Sequence, residues 1–438
     1  MVSKTKGKRS KRSSSKRSSK RSKGGKALDA GSYGCVFSPA IKCVDESANH
    51  PETITKLMYK EDTEAELIEM AKVQKYIETI PNKENYFLIA DTYQCEPDKL
   101  NEEDLTDFDK KCRLFTKRGI NRSNVNEAIE RDELALIVMP NGGLNVEKFY
   151  EKLLVLSERE MYRKFMIANT ALIKLLVNGI VPLNLKNFNH YDIKAGNILI
   201  SDDGHARLID WGLAGENDGI HIPETIQNRS IAFNMPFSDI FFNSFVKKWL
   251  VEELNLIKAA PHFHNKTVGQ AELLKIVAVN MINKSIEKTS EGHYEYITNT
   301  ILHDIYKIYA IKNEYNRIDY NVLSNNALID YIQAVLLTYV DDAGKFNDTK
   351  YFYDVFSKNV DIWGFLLAYV PIIEYGMGKV HIDIINAVCR ILLKYCFSTE
   401  FATKPINVNE LMLELQSLNA IANDIQKKST RKVSTLLK

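Results

Sequence analysis

The chain has 438 residues, 45% apolar and 26% charged, the proportions of a soluble globular protein with a sizeable core. Its 58 Lys and Arg nearly balance 56 Asp and Glu, a formal net charge of +2, which taken whole excludes a uniformly basic nucleic-acid coat and an acidic disordered chain. No run reaches the roughly 18 apolar residues of a membrane span, since the best candidate, Trp363 to Ile373, is short and broken by Pro371.

The near-neutral sum conceals two opposed parts. Residues 1–26 hold twelve Lys or Arg, eight Ser and no acidic or aromatic residue. Such a segment cannot bury enough apolar surface to offset its chain entropy, so disorder is expected. The remaining 46 basic and 56 acidic residues leave residues 27–438 at a net −10. No apolar stretch follows the early charges, so the tail is not a secretory signal. It can bind nucleic acid through phosphates, act as a nuclear-import address, serve as a Ser-rich phosphorylation substrate, or simply solubilise the chain. The six cysteines form no CxxC pair and are too sparse for a disulfide framework, so reduced thiols in a cytoplasmic compartment are expected. A meeting of Cys95 with Cys112 is expected only by chance.

Globular composition begins at Ala27. Thr53 to Met58 is a short strand candidate, and Asp62 to Thr79 is helical, with Leu67, Met70, Val73 and Ile77 at helical spacing. Tyr86 to Tyr93 reads as a further strand. Residues 95–132, polar and of mixed charge, read as an inserted loop. Glu133 to Met139 is an apolar strand stopped by Pro140-Asn141-Gly142-Gly143. Ser157 and Glu160 form a capping box opening a long amphipathic helix to about Asn178. Residues 198–209 form two strands around Asp202-Asp203-Gly204, and from about residue 240 the pattern is mostly helical.

Three motifs carry chemistry. Asp29-Ala30-Gly31-Ser32-Tyr33-Gly34-Cys35-Val36 is a glycine-bearing hairpin, whose glycines let backbone approach a polyphosphate or merely make a turn. In His190-Tyr191-Asp192-Ile193-Lys194-Ala195-Gly196-Asn197, an Asp, a Lys two residues later and an Asn five later suit one phosphoryl transfer. The Asp accepts a hydroxyl proton, the Lys offsets charge on the moving group, and the Asn holds a metal. Leu208-Ile209-Asp210-Trp211-Gly212 places an acid at a strand end, a Mg²⁺ ligand on a rigid edge. His262-Phe263-His264 has no acidic or Cys partner nearby and reads as surface loop. Tyr351, Phe352 and Tyr353 read as core or interface.

Together these residues resemble the eukaryotic-type protein kinases over most of 27–238 and again near 359. The resemblance implies an α+β, bilobal fold, with a small β-rich lobe at 27–140 (insertion about 95–132) and a large helical lobe at 141–438 (insertion about 240–358). It implies an ATP- and Mg²⁺-dependent serine/threonine protein kinase acting on Ser/Thr hydroxyls of proteins. In that scheme Asp192 is the catalytic base and Lys194 the phosphate-contacting lysine. Asn197 and Asp210 are the metal ligands. Residues 29–34 and Val36 cover the phosphates, and Lys56 contacts them from a strand, paired with Glu69 or, one turn earlier, Glu66. Val138 and Met139 line the adenine pocket, with Ile137 or Val138 guarding its back, and Gly142-Gly143 ends the hinge. Asp361 in Asp361-Ile362-Trp363-Gly364 holds the catalytic loop from below.

The sequence departs from that family at named places. Asp29 replaces the first glycine and Tyr191 the Arg of His-Arg-Asp, so the usual link from a phosphorylated activation segment is missing. Asn234-Met235-Pro236-Phe237 is a degenerate closing motif, and Pro236 and Asp361 lie 125 residues apart. Divergent kinases of large DNA viruses show a similar set, which would place the protein in host cytoplasm, in the virion or, through the tail, in the nucleus. The alternatives are a catalytically weak kinase-like scaffold and a nucleic-acid-associated structural protein.

Overall fold

A computed structural model describes residues 26–31, 34–45, 52–89, 92–259, 268–312 and 319–436. The basic tail to residue 25, Ser32, Tyr33 and His262-Phe263-His264 lie outside the described residues. The architecture is α+β. One compact unit comprises residues up to 63 with 92–140 and is built on a small antiparallel sheet; the other comprises 64–91 with 141–438 and is largely helical.

In the first unit, β1 (Lys26–Gly31), β2 (Gly34–Ser38), β3 (Thr53–Tyr59), β4 (Tyr93–Cys95) and β5 (Leu134–Pro140) form a five-stranded sheet in the order β1-β2-β3-β5-β4. β5 is almost continuously apolar, as a central strand buried on both faces must be, and Leu136, Ile137 and Val138 are fully buried. β1 and β2 form the expected hairpin, with Gly31 opposite Gly34. The register sets Lys56 on β3 between Val36 and Ile137.

The expectation of an inserted loop at 95–132 is corrected. The segment folds into α2 (Phe108–Lys111), α3 (Arg113–Lys117) and α4 (Val125–Glu130), after α1 (Lys60–Ile77) in chain order. Phe108, Phe115, Val125 and Ala128 are completely buried against Cys35, Phe37 and Leu57 of the sheet. Helices of four to six residues are too short to display a 3.6-residue period, so their apolar anchors are lost among the surrounding charges.

The thiol expectation is also corrected. Cys35 is bonded to Cys112 and Cys43 to Cys95, with Cα separations of 5.2 and 5.8 Å, while Cys389 and Cys396 are free and buried. The insertion is therefore stapled to the hairpin strand that follows the glycines. Closing a 77-residue loop stabilises by about 4.5 kcal/mol in the chain-entropy model. Reduction is expected to accelerate amide exchange in β2 and α2 but not in the buried helix Ser357–Leu367. Unchanged exchange in β2 would show that Phe108 and Phe115 alone hold the insertion.

In the second unit, residues 64–77 of α1 bury Val73 and Ile77, and Tyr76 stacks on Phe188 at 4.3 Å. Three strands, β6 (Leu144–Asn145), β8 (Ile198–Ile200) and β9 (Ala206–Leu208), form one small sheet; β7 (Phe188–Asn189) and β10 (Gly215–Glu216) form another. The helix α5 (Val146–Leu153) follows β6, capped by Asn145, whose Oδ1 accepts Lys148 N–H at 2.9 Å. The helix α6 (Glu158–Leu175) starts where the capping box predicts, but the Ser157 side chain makes no cap hydrogen bond. A π-helical turn, Leu176–Ile180, carries it on to Asn184. This stretch, Glu158–Asn184, is by length and composition apolar enough to cross a membrane, contrary to the expectation of no such run; 56% of its most apolar window is buried within the protein. It packs on the C-terminal helix Val408–Leu436, where the buried Asn169 donates to Leu415 O at 2.9 Å and accepts from Tyr369 Oη at 2.8 Å.

Residues 240–358 are mainly helical and join the same core. The helix Tyr320–Tyr339 brings Tyr331 to within 5.7 Å of Trp363 and 5.4 Å of Phe237, ring centre to ring centre. Tyr351 and Phe352 are fully buried, as core residues. The helix Ser357–Leu367 is buried at every residue except the exposed Lys358.

Candidate active site

The loop 190–197 runs from β7 to β8, so two short strands fix both of its ends. Asp361, at 1% exposure, lies beneath it. Its Oδ2 accepts the His190 amide at 2.9 Å and Asn189 Nδ2 at 3.1 Å, and its Oδ1 accepts the Tyr191 amide at 2.9 Å. Burial pushes the Asp361 carboxyl up; the His190 charge and these donors oppose it. Gly364, one turn later, touches the same loop, since a Cβ there would stand 2.3 Å from Ile193 O.

Tyr191, in place of the arginine, has a left-handed backbone with φ +59°. This conformation costs a non-glycine residue of order 1–3 kcal/mol, so the surroundings must impose it. They do so through the Asp361 contact and a buried polar chain. The Tyr191 hydroxyl donates to Asn217 Oδ1, Asn217 Nδ2 donates to Asn189 Oδ1 at 2.6 Å, and Asn189 Nδ2 donates to Ser357 O at 2.9 Å.

With its backbone so held, Asp192 presents a largely buried carboxylate to converging donors. Oδ2 accepts Lys194 Nζ at 2.7 Å and Asn197 Nδ2 at 3.0 Å. Oδ1 accepts Asn234 Nδ2 at 3.0 Å. Asn197 Nδ2 also donates to the Asp192 carbonyl at 2.9 Å, which turns Asn197 Oδ1 away from that carboxylate. The Ile209 amide donates to Asn197 O at 3.1 Å, setting the strand end that carries Asp210 beside Asn197. Asp210 is exposed and also left-handed, with φ +66°. Behind it, His190 Nε2 donates to Ile209 O at 3.0 Å, and the rings of His190, Trp211 and Phe87 follow one another at 4.7 and 5.7 Å. The four residues assigned to catalysis and metal are thus gathered at one place.

Other expected residues are placed as follows. Val36 and Lys56 lie on paired strands of the first unit; Val138 is fully buried in β5 and Met139 half-buried beside it. Asp29, Ala30, Gly31 and Gly34 form the hairpin backbone. Glu69 binds Lys72 on its own helix at 2.7 Å, and Glu66 is half-buried one turn before. Gly143 has φ +97°, and a Cβ there would fall 2.3 Å from Ile200 O, so only glycine fits that link.

Sequence reasoning missed Asn189, Asn217 and Arg229, and picked out Asn234 only within a degenerate motif. None has a local signal, because each acts on residues 26 to 172 positions away.

No family model matches the chain. A stretch of 61 residues, 14% of the chain, is 38% identical to the serine/threonine-protein kinase hippo of Drosophila melanogaster, and covers 8% of that protein. The chain thus carries a short local similarity to a serine/threonine kinase.

Proposed function

We propose that the protein is a serine/threonine protein kinase that transfers the γ-phosphoryl group of ATP to protein hydroxyls. The observation that carries this reading is the Asp192 carboxylate, oriented by Lys194, Asn197 and Asn234 on a loop clamped by Asp361. A carboxylate has about four acceptor sites, so three donors leave room for a substrate hydroxyl. That hydroxyl donates to Asp192 as its oxygen attacks the γ-phosphorus in line, and Asp192 takes the proton as the bond to the β-phosphate oxygen breaks. Lys194, paired with Asp192 at 2.7 Å, would offset charge on the moving group. Lys56 and the β1–β2 hairpin are assigned to the nucleotide phosphates.

The donor set suits Mg²⁺. With its nitrogen committed to Asp192, Asn197 offers Oδ1, and Asp210 offers a carboxylate, both hard oxygen ligands. When bound, the ion would neutralise phosphate charge as it develops.

The test is incubation with γ-³²P-labelled ATP, Mg²⁺ and a basic Ser-containing peptide. Label is expected on seryl hydroxyls and is expected to vanish when EDTA removes the metal. ATP binding without transfer would overturn the reading in favour of an inert scaffold.

A further inference from the structure

Arg229 is the only Arg or Lys between residues 215 and 243. It turns back onto the catalytic loop. Its Nη1 donates to Tyr191 O at 2.8 Å, and its Nη2 stands 3.9 Å from Asp192 Oδ1, with the side chain only 18% exposed. The same segment supplies Asn234, whose Nδ2 donates to Asp192 Oδ1 at 3.0 Å and to Ile193 O at 3.2 Å. Asp239, fully buried, also feels the Arg229 charge. Burial pushes its carboxyl up to about 8 while Arg229 pulls the other way, and neither of its oxygens has a well-formed hydrogen bond. The guanidinium therefore donates one hydrogen bond to the Tyr191 carbonyl and places its charge near two carboxylates, Asp192 and Asp239.

The hydroxyls of the segment are already engaged or covered. Ser238 is buried and accepts from Tyr351 Oη at 2.6 Å, Ser230 Oγ lies 2.8 Å from Ser290 Oγ, and Thr225 Oγ1 is shielded from solvent. In the kinases that this chain resembles, the cation sits on the catalytic loop at the place of Tyr191 and its counter-charge is a phosphate on the segment. Here the arrangement is inverted: the segment carries the cation, and the catalytic loop offers the carbonyl and the carboxylate.

We propose that Arg229 is a positioning residue for Asp192, holding the Tyr191–Asp192 backbone and carboxylate from the segment side, so that activity needs no phosphate on that segment. This rests on the kinase reading of Asp192. The arginine is part of the fold, so the loop is held from the moment the chain is folded, with no activating enzyme.

The test uses the full chain, Arg229→Gln and Arg229→Lys. Arg229→Gln is expected to lower kcat about 10- to 100-fold, since it removes a charge-assisted hydrogen bond to the Tyr191 carbonyl and the ion pair with Asp192. The KM for ATP should stay within about twofold, since nucleotide contacts are untouched. Arg229→Lys, which keeps the charge and one donor, is expected to recover part of the loss. Phosphatase treatment of the parent should leave its rate unchanged. Amide exchange at residues 190–193 should quicken in Arg229→Gln while the helix Ser357–Leu367 keeps its protection, which separates loop release from misfolding. The proposal is overturned if Arg229→Gln matches the parent in kcat and exchange, or if phosphatase abolishes the parent's activity. Should the parent transfer no phosphoryl group, the kinase reading fails, and exchange alone decides: faster exchange in the variant keeps Arg229 as the holder of the loop, and unchanged exchange removes it.

Discussion

Asp192→Asn is expected to lower phosphoryl transfer by about 10²–10⁴-fold, the usual worth of a positioned general base. The substitution keeps the size of the side chain and changes its chemistry. In the parent, both carboxylate oxygens accept, from Lys194 and Asn197 on one and Asn234 on the other. An amide replaces one acceptor with a donor, which must then face a donor already in place. It also removes the negative charge that Lys194 and Arg229 share. The hydroxyl proton loses its destination and the loop loses its internal ion pair. Initial rates at saturating ATP, with circular dichroism to check folding, measure the effect. A variant within threefold of the parent would remove Asp192 from the reaction, whatever the surrounding geometry.

Asp361→Ala is expected to destabilise the second unit by about 3–5 kcal/mol, since each buried donor left unsatisfied costs about 1–3 kcal/mol. Three buried donors lose their acceptor at once: the amides of His190 and Tyr191 and the Asn189 side chain. No water can replace it readily at a site where Asp361 itself is 1% exposed. The left-handed backbone of Tyr191 would then lose the contact that imposes it, so activity should fall along with stability. Urea unfolding followed by tryptophan fluorescence reports the loss, because Trp211, Trp249 and Trp363 all lie in this unit. Asp361→Asn, which retains one oxygen acceptor, should fall between the parent and Asp361→Ala. An Asp361→Ala protein as stable as the parent would mean that the loop is held by the Tyr191–Asn217–Asn189 chain and Arg229 alone.

The two expectations draw on different kinds of information. Asp192, Lys194 and Asn197 sit within six residues, and Asp210 follows after one β-hairpin. Their convergence is a local consequence of chain geometry, so residue spacing is enough to read it. Asp361 is legible only through a family resemblance, across more than a hundred residues. The fold shows its two-amide contact with the loop directly.

The remaining parts have no local signature. The insertion at 95–132 looks polar in sequence because its helices are one turn or little more, with each buried anchor, such as Phe108 or Phe115, flanked by charges. The cysteine partners depend on which strands and helices lie together, and six cysteines allow fifteen complete pairings when only their order along the chain is known. Glu69 shares a helix face with Glu66 in the sequence, and only side-chain placement gives it to Lys72.

Composition and spacing alone thus determine a globular body of mixed class, its net negative charge masked by a basic tail, and a cluster suited to phosphoryl transfer. All three depend on residue type or on neighbours a few positions apart. Tertiary packing decides what holds that cluster in working order. Arg229 and Asn234 reach Asp192 because the segment after β10 folds back over the loop, and Asn217 reaches Tyr191 because β10 pairs with β7. Such contacts form when buried polar groups must find partners across the core, and the nearest partner in space has no fixed distance along the chain.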